Sequence, residues 1–277
     1  MNRAFIFPGQ GSQAVGMGKI VAEAFAPARA AFDEVDDALS QNLSRLMFEG
    51  PEDELILTAN AQPAIMAVSM AVTRVLQAEA GLDMAKHARF VAGHSLGEYS
   101  ALCAMGALTL ADAARLLRIR GASMQEAVPV GEGAMSALIG LDVGVVEEVC
   151  DQAKTLGVVV VANDNAPGQV VISGVAAAVE KAGELAKEKG ARRVIPLSVS
   201  APFHSPLLNP AADAMREALD AVTILPLSVP IVSNITANTT SEPAAIRDLL
   251  VAQVTGRVRW RESVAIFRSL GAAQTVE

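Results

Sequence analysis

Short apolar runs alternate with long amphipathic ones along the first part of the chain. Residues 3–7 read as a strand that Pro8-Gly9 stops. A second strand is expected at 90–92, followed at once by Gly93-His94-Ser95-Leu96-Gly97. The spacing between them is helical. Gln62-Pro63 opens one helix that runs to about residue 79, with Pro in the first turn, where its missing N–H is harmless. Leu110, Ala113, Ala114, Leu116, Leu117, Gly121 and Met124 share a broad face of a later helix. Strands separated by helices predict a mostly parallel sheet covered on both faces.

The texture changes near residue 133. Strand patterns at 134–140, 158–162, 169–173 and 192–199 are interleaved with helical ones at 143–154 and 176–189, and Asn-Asp-Asn-Ala-Pro-Gly turns the chain between the middle two strands. That order is βαββαβ, the ferredoxin-like unit. The fold class expected is therefore α/β: a hydrolase-like, mostly parallel sheet covered by helices, carrying an inserted ferredoxin-like subdomain. Residues 1–125 and 201–277 would form the large domain, and residues 126–200 the small one. A strand at 230–235 resumes the large sheet, and helices follow from 243 and 261. Residues 267–271 end a helix on a glycine cap, and 272–277 begin a strand; the residues alone leave open whether the natural chain runs on.

Composition narrows the function. Thirty acidic residues against 22 basic ones give a net charge of −8, the wrong sign for salt-driven nucleic-acid binding. Aromatic residues are only 4%, too few for base-stacking platforms. No apolar window is long enough to span a membrane. Cys103 and Cys150 form no CxxC, which argues against a disulfide framework or a metal site and for a reducing cytoplasm. Gly9-Gln10-Gly11-Ser12-Gln13-Ala14 formally fits a dinucleotide fingerprint. The acids that should end a second strand (Asp33, Glu34, Asp36, Asp37) lie in a helical stretch instead, so no cofactor site is expected there.

The chemistry gathers around Ser95. Gly93-His94-Ser95-Leu96-Gly97 fits G-x-S-x-G between a strand and a helix, a turn that lifts the serine hydroxyl and aims the Leu96 N–H at a developing oxyanion. The plainer reading is a glycine-rich loop with an idle serine. A nucleophilic serine needs a base. His94 adjoins Ser95 and should diverge from it, and His87 belongs to the opposite end of the strand. His204 remains, in a loop stiffened by Pro202 and Pro206. No acid is evident to orient it, since Asp213 falls on a following helix; a backbone carbonyl could serve instead. Arg120 projects between the directions of Ala113 and Leu116, towards the apolar side of its helix. It needs an anion there: a structural Asp or Glu, or a substrate carboxylate. Gln13 could offer a second oxyanion donor.

Taken together, these residues resemble the malonyl-CoA:acyl-carrier-protein transacylases, the malonyl loaders of bacterial fatty-acid synthesis. The likeness runs nearly end to end. It includes Phe7-Pro8-Gly9-Gln10-Gly11-Ser12-Gln13, Asn60-Ala61-Gln62-Pro63-Ala64, Gly93 to Tyr99, Arg120-Gly121 with Met124-Gln125, Ala201-Pro202-Phe203-His204, and Gln253. The resemblance implies Ser95 as nucleophile, His204 as base and Arg120 as the partner of the malonyl carboxylate. It implies an oxyanion hole of Gln13 and the Leu96 N–H, with the Gln253 carbonyl orienting His204. Phe203 looks like the malonyl-selective form. The implied partners are malonyl-CoA, entering as substrate rather than cofactor, and acyl carrier protein, with the enzyme acting as a monomer. Family members usually continue past this point with a glycine-rich strand–loop segment. The rival readings are a serine thioesterase or esterase of the α/β type and a non-catalytic carrier-binding module. An acidic carrier would need a basic landing site, either Lys187, Lys189, Arg192 and Arg193 or Arg257, Arg259 and Arg261.

Overall fold

The computed structural model describes residues 2–199 and 201–277. Met1, and Ser200 at the expected boundary between the two domains, lie outside the described residues. Among the described residues nine strands form two sheets: β1 (Arg3–Phe7), β2 (Ala88–Gly93), β3 (Gly133–Ile139), β4 (Val159–Ala166), β5 (Gln169–Val175), β6 (Arg193–Pro196), β7 (Ile231–Ser233), β8 (Asn238–Thr240) and β9 (Gln274–Val276).

The first sheet has the order β8-β7-β2-β1-β9. β1 runs parallel to β2 and β9, and β2 parallel to β7; only β8, at the edge, is antiparallel. The expected parallel sheet is therefore present, with helices on its faces. One face packs Val91 and Phe5 into the main core with Ile65, Leu102, Leu116 and Leu117. The other covers Ala4, Phe90, Ala92 and Val232 with the helix Trp260–Phe267, whose Phe267 ring lies 4.9 Å from that of Phe90. Both faces being covered explains why these strands read as continuous apolar runs.

The second sheet, order β4-β5-β3-β6, is antiparallel throughout. With the helices Val143–Ala153 and Ala176–Glu188 it completes the βαββαβ order. Strand alternation divides its side chains between two cores. Val159, Val161, Val170, Ile172 and Leu138 pack against the two helices, while Ala162, Val171 and Met135 join the main core.

Three expected boundaries shift by three residues or more. The helix expected from residue 62 is Thr58–Ala80, and Pro63 lies within it. Its early start is supported from outside, because Gln125 Oε1 accepts the Ala59 N–H at 2.7 Å. β4 runs on through most of the expected turn to Ala166, leaving only Pro167-Gly168 between it and β5. The last strand of the small sheet is only Arg193–Pro196.

Candidate active site

The three central parallel strands all end on the same side. Pro8-Gly9 follows β1, His94-Ser95 follows β2 and Asn234 follows β7. Open parallel sheets offer their ligand crevice at these carboxyl ends, where connections leave in different directions.

The elbow depends on its glycines. A Cβ on Gly93 would lie 1.9 Å from the Gly97 carbonyl carbon, and one on Gly97 would lie 2.4 Å from Phe7 O. Only hydrogen fits at either position, which lets the helix Gly97–Ala104 start directly over the end of β1. Ser95 between them adopts φ 52°, a left-handed conformation that a non-glycine residue holds only when its surroundings impose it. Here side chains impose it. Asn234 Oδ1 accepts the Ser95 N–H at 2.7 Å, and Gln253 Nε2 donates to Ser95 O at 3.0 Å.

His204 arrives from a distant loop, also with a left-handed backbone (φ 57°). Its Nε2 lies 2.9 Å from Ser95 Oγ, and its Nδ1 lies 2.8 Å from the Gln253 carbonyl. A carbonyl can only accept, so Nδ1 carries the proton and Nε2 presents its lone pair to the serine hydroxyl. Burial and then the nearby Arg120 charge push the His204 pKa down to about 3, which keeps the ring neutral and ready to take a proton.

Arg120 does face inward, and it is 1% exposed. Gly121 makes this possible: a Cβ there would meet Thr58 O at 2.5 Å, so this helix packs directly on the start of the helix Thr58–Ala80. Arg120 Nη1 donates to Gln62 Oε1 at 2.7 Å, while Nη2 donates to Gln253 Oε1 at 2.9 Å and to Ser95 Oγ at 3.0 Å. The guanidinium carbon lies 5.9 Å from the centre of the Tyr99 ring. All three hydrogen-bond acceptors are neutral, and Arg120 is in none of the ion pairs of the described residues. The nearby acid is Glu98, whose pKa burial pushes up to about 8 against the pull of its N–H donors and Arg120.

The other histidines stand apart. His94 Nε2 meets Asn165 Oδ1 at 2.9 Å and its ring meets Trp260 edge-on, which ties the elbow to β4. His87 Nδ1 accepts the Asp83 N–H at the start of β2. Leu96 begins the elbow helix, and none of the hydrogen bonds of the described residues uses its N–H. Gln13 is turned onto its own loop, where its Oε1 accepts the Gly11 N–H at 2.7 Å. Gly9 is the part of that loop that touches the elbow, since a Cβ there would lie 2.7 Å from His94 Nδ1.

Gln62, Glu98 and Asn234 received no role from the sequence. Gln62 and Glu98 stood inside recognised motifs, and Asn234 directly follows a parallel strand, a position that itself points to a crevice. Of the two basic clusters, Arg257, Arg259 and Arg261 are paired with Glu147, Glu262 and Asp164 at 2.6, 2.6 and 2.7 Å. Lys189 lies 3.8 Å from Glu148, whereas no ion pair of the described residues uses Lys187, Arg192 or Arg193. No group of His, Cys, Asp and Glu among the described residues could hold a metal ion, and no helix there is long and apolar enough to cross a membrane.

A serine on a strand–helix elbow, a neutral histidine against its hydroxyl and a buried guanidinium beside both form the arrangement that serine-nucleophile enzymes of the α/β class use. The acyl transferase domain family matches residues 4–277, and the chain belongs to that family. It is 49% identical over 275 residues to the malonyl CoA-acyl carrier protein transacylase of Bacillus subtilis (strain 168), covering 99% of this chain and 85% of that protein. The corresponding Escherichia coli (strain K12) protein is 44% identical over 274 residues, at 99% and 87% coverage. Among solved structures, the acyl-carrier-protein-S-malonyltransferase from Bartonella henselae superposes with a TM-score of 0.97 at 57% identity, over 99% of this chain and 87% of that one. A malonyl-transacylase solved in complex with a type II PKS acyl-carrier protein gives 0.96 at 42% identity, over 100% and 88%.

Proposed function

We propose that this chain moves a malonyl group from CoA to the phosphopantetheine thiol of an acyl carrier protein through a malonyl ester on Ser95. The observation that carries this reading is Arg120: a buried guanidinium with only neutral acceptors, one of them the nucleophile 3.0 Å away. A buried cation without a counter-charge is costly, and an acyl group ending in a carboxylate supplies the missing anion while its carbonyl lies over Ser95.

His204 Nε2 takes the Ser95 hydroxyl proton as Oγ attacks the thioester carbonyl. The oxyanion forms against the Leu96 N–H. A second donor comes from the Gly9–Gln13 loop, whose Gly9 presses on His94 and whose Gln13 amide NH2 remains unengaged. Collapse of the tetrahedral intermediate breaks the C–S bond, and His204 returns its proton to the departing CoA thiolate. The carrier thiol then repeats the sequence on the ester, giving up its proton to His204, and Ser95 Oγ leaves with that proton. The Gln253 carbonyl holds the imidazole through both halves, so no acidic third member is needed. CoA enters as substrate, and the cycle requires no resident cofactor. Phe203, buried beside His204, would restrict the pocket to the malonyl group.

A thioesterase would use the same pair with water, and a binding module would have no use for a 2.9 Å serine–histidine contact. One experiment tests the reading. Malonyl-CoA labelled in its acyl group should leave stoichiometric label on the wild-type protein, chased off by holo carrier protein, with none on Ser95→Ala. Release of free malonate as fast as transfer to carrier would favour the thioesterase.

A further inference from the structure

We infer that Glu98 is a positioning residue for acyl transfer: its carboxyl holds Asn234 and Gln253, and through them the backbone of Ser95 and the ring of His204. The inference rests on the acyl-transfer reading above, and it gives a role to a buried acid that the reaction itself leaves unused.

Glu98 sits in the first turn of the elbow helix, fully covered. One of its oxygens, Oε1, accepts the Asn234 N–H at 2.6 Å; the other, Oε2, accepts from Gln253 Nε2. It forms no direct ion pair with Arg120, and the guanidinium acts on it only through space, favouring its ionised form. Its two neighbours are the side chains that grip Ser95. Asn234 Oδ1 takes the Ser95 N–H, and Asn234 Nδ2 donates to Gly93 O at 2.8 Å. Gln253 Nε2 donates to Ser95 O, and the main-chain carbonyl of the same Gln253 orients His204. The Glu98 N–H itself donates to Ser95 O at 3.1 Å. A ring of hydrogen bonds thus runs from the nucleophile's peptide groups through one carboxyl to the carbonyl behind the base.

The ring matters because Ser95 and His204 both hold left-handed backbones, and such conformations persist only where the surroundings over-determine them. The chemistry of the ring also selects the residue type. Position 98 faces two N–H donors, one from each neighbour, and once the carboxyl has lost the proton that burial holds on up to about pH 8 it offers an acceptor at both oxygens. Glutamine has the same shape but only one. Whichever way the introduced amide is turned, its NH2 meets a donor, and either Asn234 or Gln253 must move.

The test is single-turnover malonylation of Ser95 by labelled malonyl-CoA in the full chain at about pH 9, where the Glu98 carboxyl is ionised. Glu98→Gln should slow acylation by roughly 30-fold or more, because displacements near 1 Å at a nucleophile are enough for such losses. Asn234→Ala leaves Glu98 intact and removes the next link, so it keeps the question open even if Glu98→Gln fails to fold; it should slow acylation by roughly tenfold or more. Malonyl-CoA affinity, measured by titration calorimetry in a Ser95→Ala background, should change by less than about threefold in each case, which a general loss of packing would not allow. Acylation within about twofold of wild type in either variant, or affinity falling as far as the rate, would overturn the inference. Wild-type protein that takes no label would instead overturn the acyl-transfer reading, a separate result.

Discussion

Between the antiparallel sheet and its two helices lies an apolar cluster: Leu138, Val161, Val170 and Ile172 against Val146, Val149, Val179 and Ala182. At the carboxyl edge of the parallel sheet, comparable burial holds Gln62, Ser95, Glu98, Arg120, His204, Asn234 and Gln253. Two of the four non-glycine residues with positive φ among those described, Ser95 and His204, lie in this second region. The first region is held by area removed from water, which is non-directional and forgiving of exact angle. The second is held by directional hydrogen bonds between partners far apart in the chain, and those bonds converge on Ser95, His204 and Arg120. One region should therefore answer substitution in stability and the other in rate.

The largest effect should come from Arg120. Arg120→Ala removes the cation from the serine and should lower malonyl transfer by about 10³-fold, roughly 4 kcal/mol, as expected when one partner of a buried charge pair is lost. Acetyl transfer, in which no carboxylate meets Arg120, should fall by less than about tenfold. Comparing kcat/KM for the two thioesters checks this. Equal losses would make Arg120 a structural residue and blur the contrast between the regions.

The mirror experiment is Ile172→Ala. Ile172 is fully buried on β5 against the two helices of the small sheet. Truncation should cost about 3 kcal/mol of unfolding free energy through lost transfer energy and the cavity left behind. At temperatures where the variant is folded, kcat should stay within about twofold of wild type. Denaturant titration beside steady-state rates measures both. A large rate loss without a stability loss would mean that the small sheet positions the site, through contacts such as His94–Asn165, rather than merely supporting it.

The same contrast decides what could be read from the chain alone. The small sheet was legible almost strand by strand, because alternation at positions such as Val159, Val161, Val170 and Ile172 reports burial directly. Ser95, His204 and Arg120 were legible for local reasons: the paired glycines, elimination among three histidines, and a charge on the apolar side of a helix. Glu98 and Asn234 were not. Their partners lie 136 and 139 residues away in sequence, so no window contains both ends of a bond. Gln62 and Gln125 escaped for the same reason, since one meets Arg120 and the other caps the helix that carries Gln62. The start of that helix moved because a side chain from another helix capped it, which local pattern does not record. Strand-end position is the signal that survives: Pro8, His94 and Asn234 each follow a parallel strand.

The smallest effect is a pH slope, and its sign separates the two regions again. Burial and Arg120 hold the His204 pKa at about 3, far below the unfolded value of about 6.5. A group whose folded pKa is depressed binds more protons when unfolded, so its contribution is fully present above pH 6.5 and is lost as pH falls from there towards 3. Glu98 works in the opposite sense: raised from 4.5 to about 8, it stabilises fully below 4.5 and loses that contribution as pH rises through 8. The two would obscure each other in the wild type alone. The difference between wild type and His204→Gln removes the Glu98 part, which is common to both. Between pH 7 and 5.5 that difference should shift against the wild type by about 1 kcal/mol, set almost wholly by the unfolded-state pKa because the folded one lies so far below the window. The corresponding difference for Ile172→Ala, which titrates nothing, should stay flat. Chemical denaturation of the three proteins at the two pH values measures both. A flat His204 difference would mean that the imidazole is protonated or solvated in the folded protein, and the base proposed for acyl transfer would not be the neutral ring that this geometry requires.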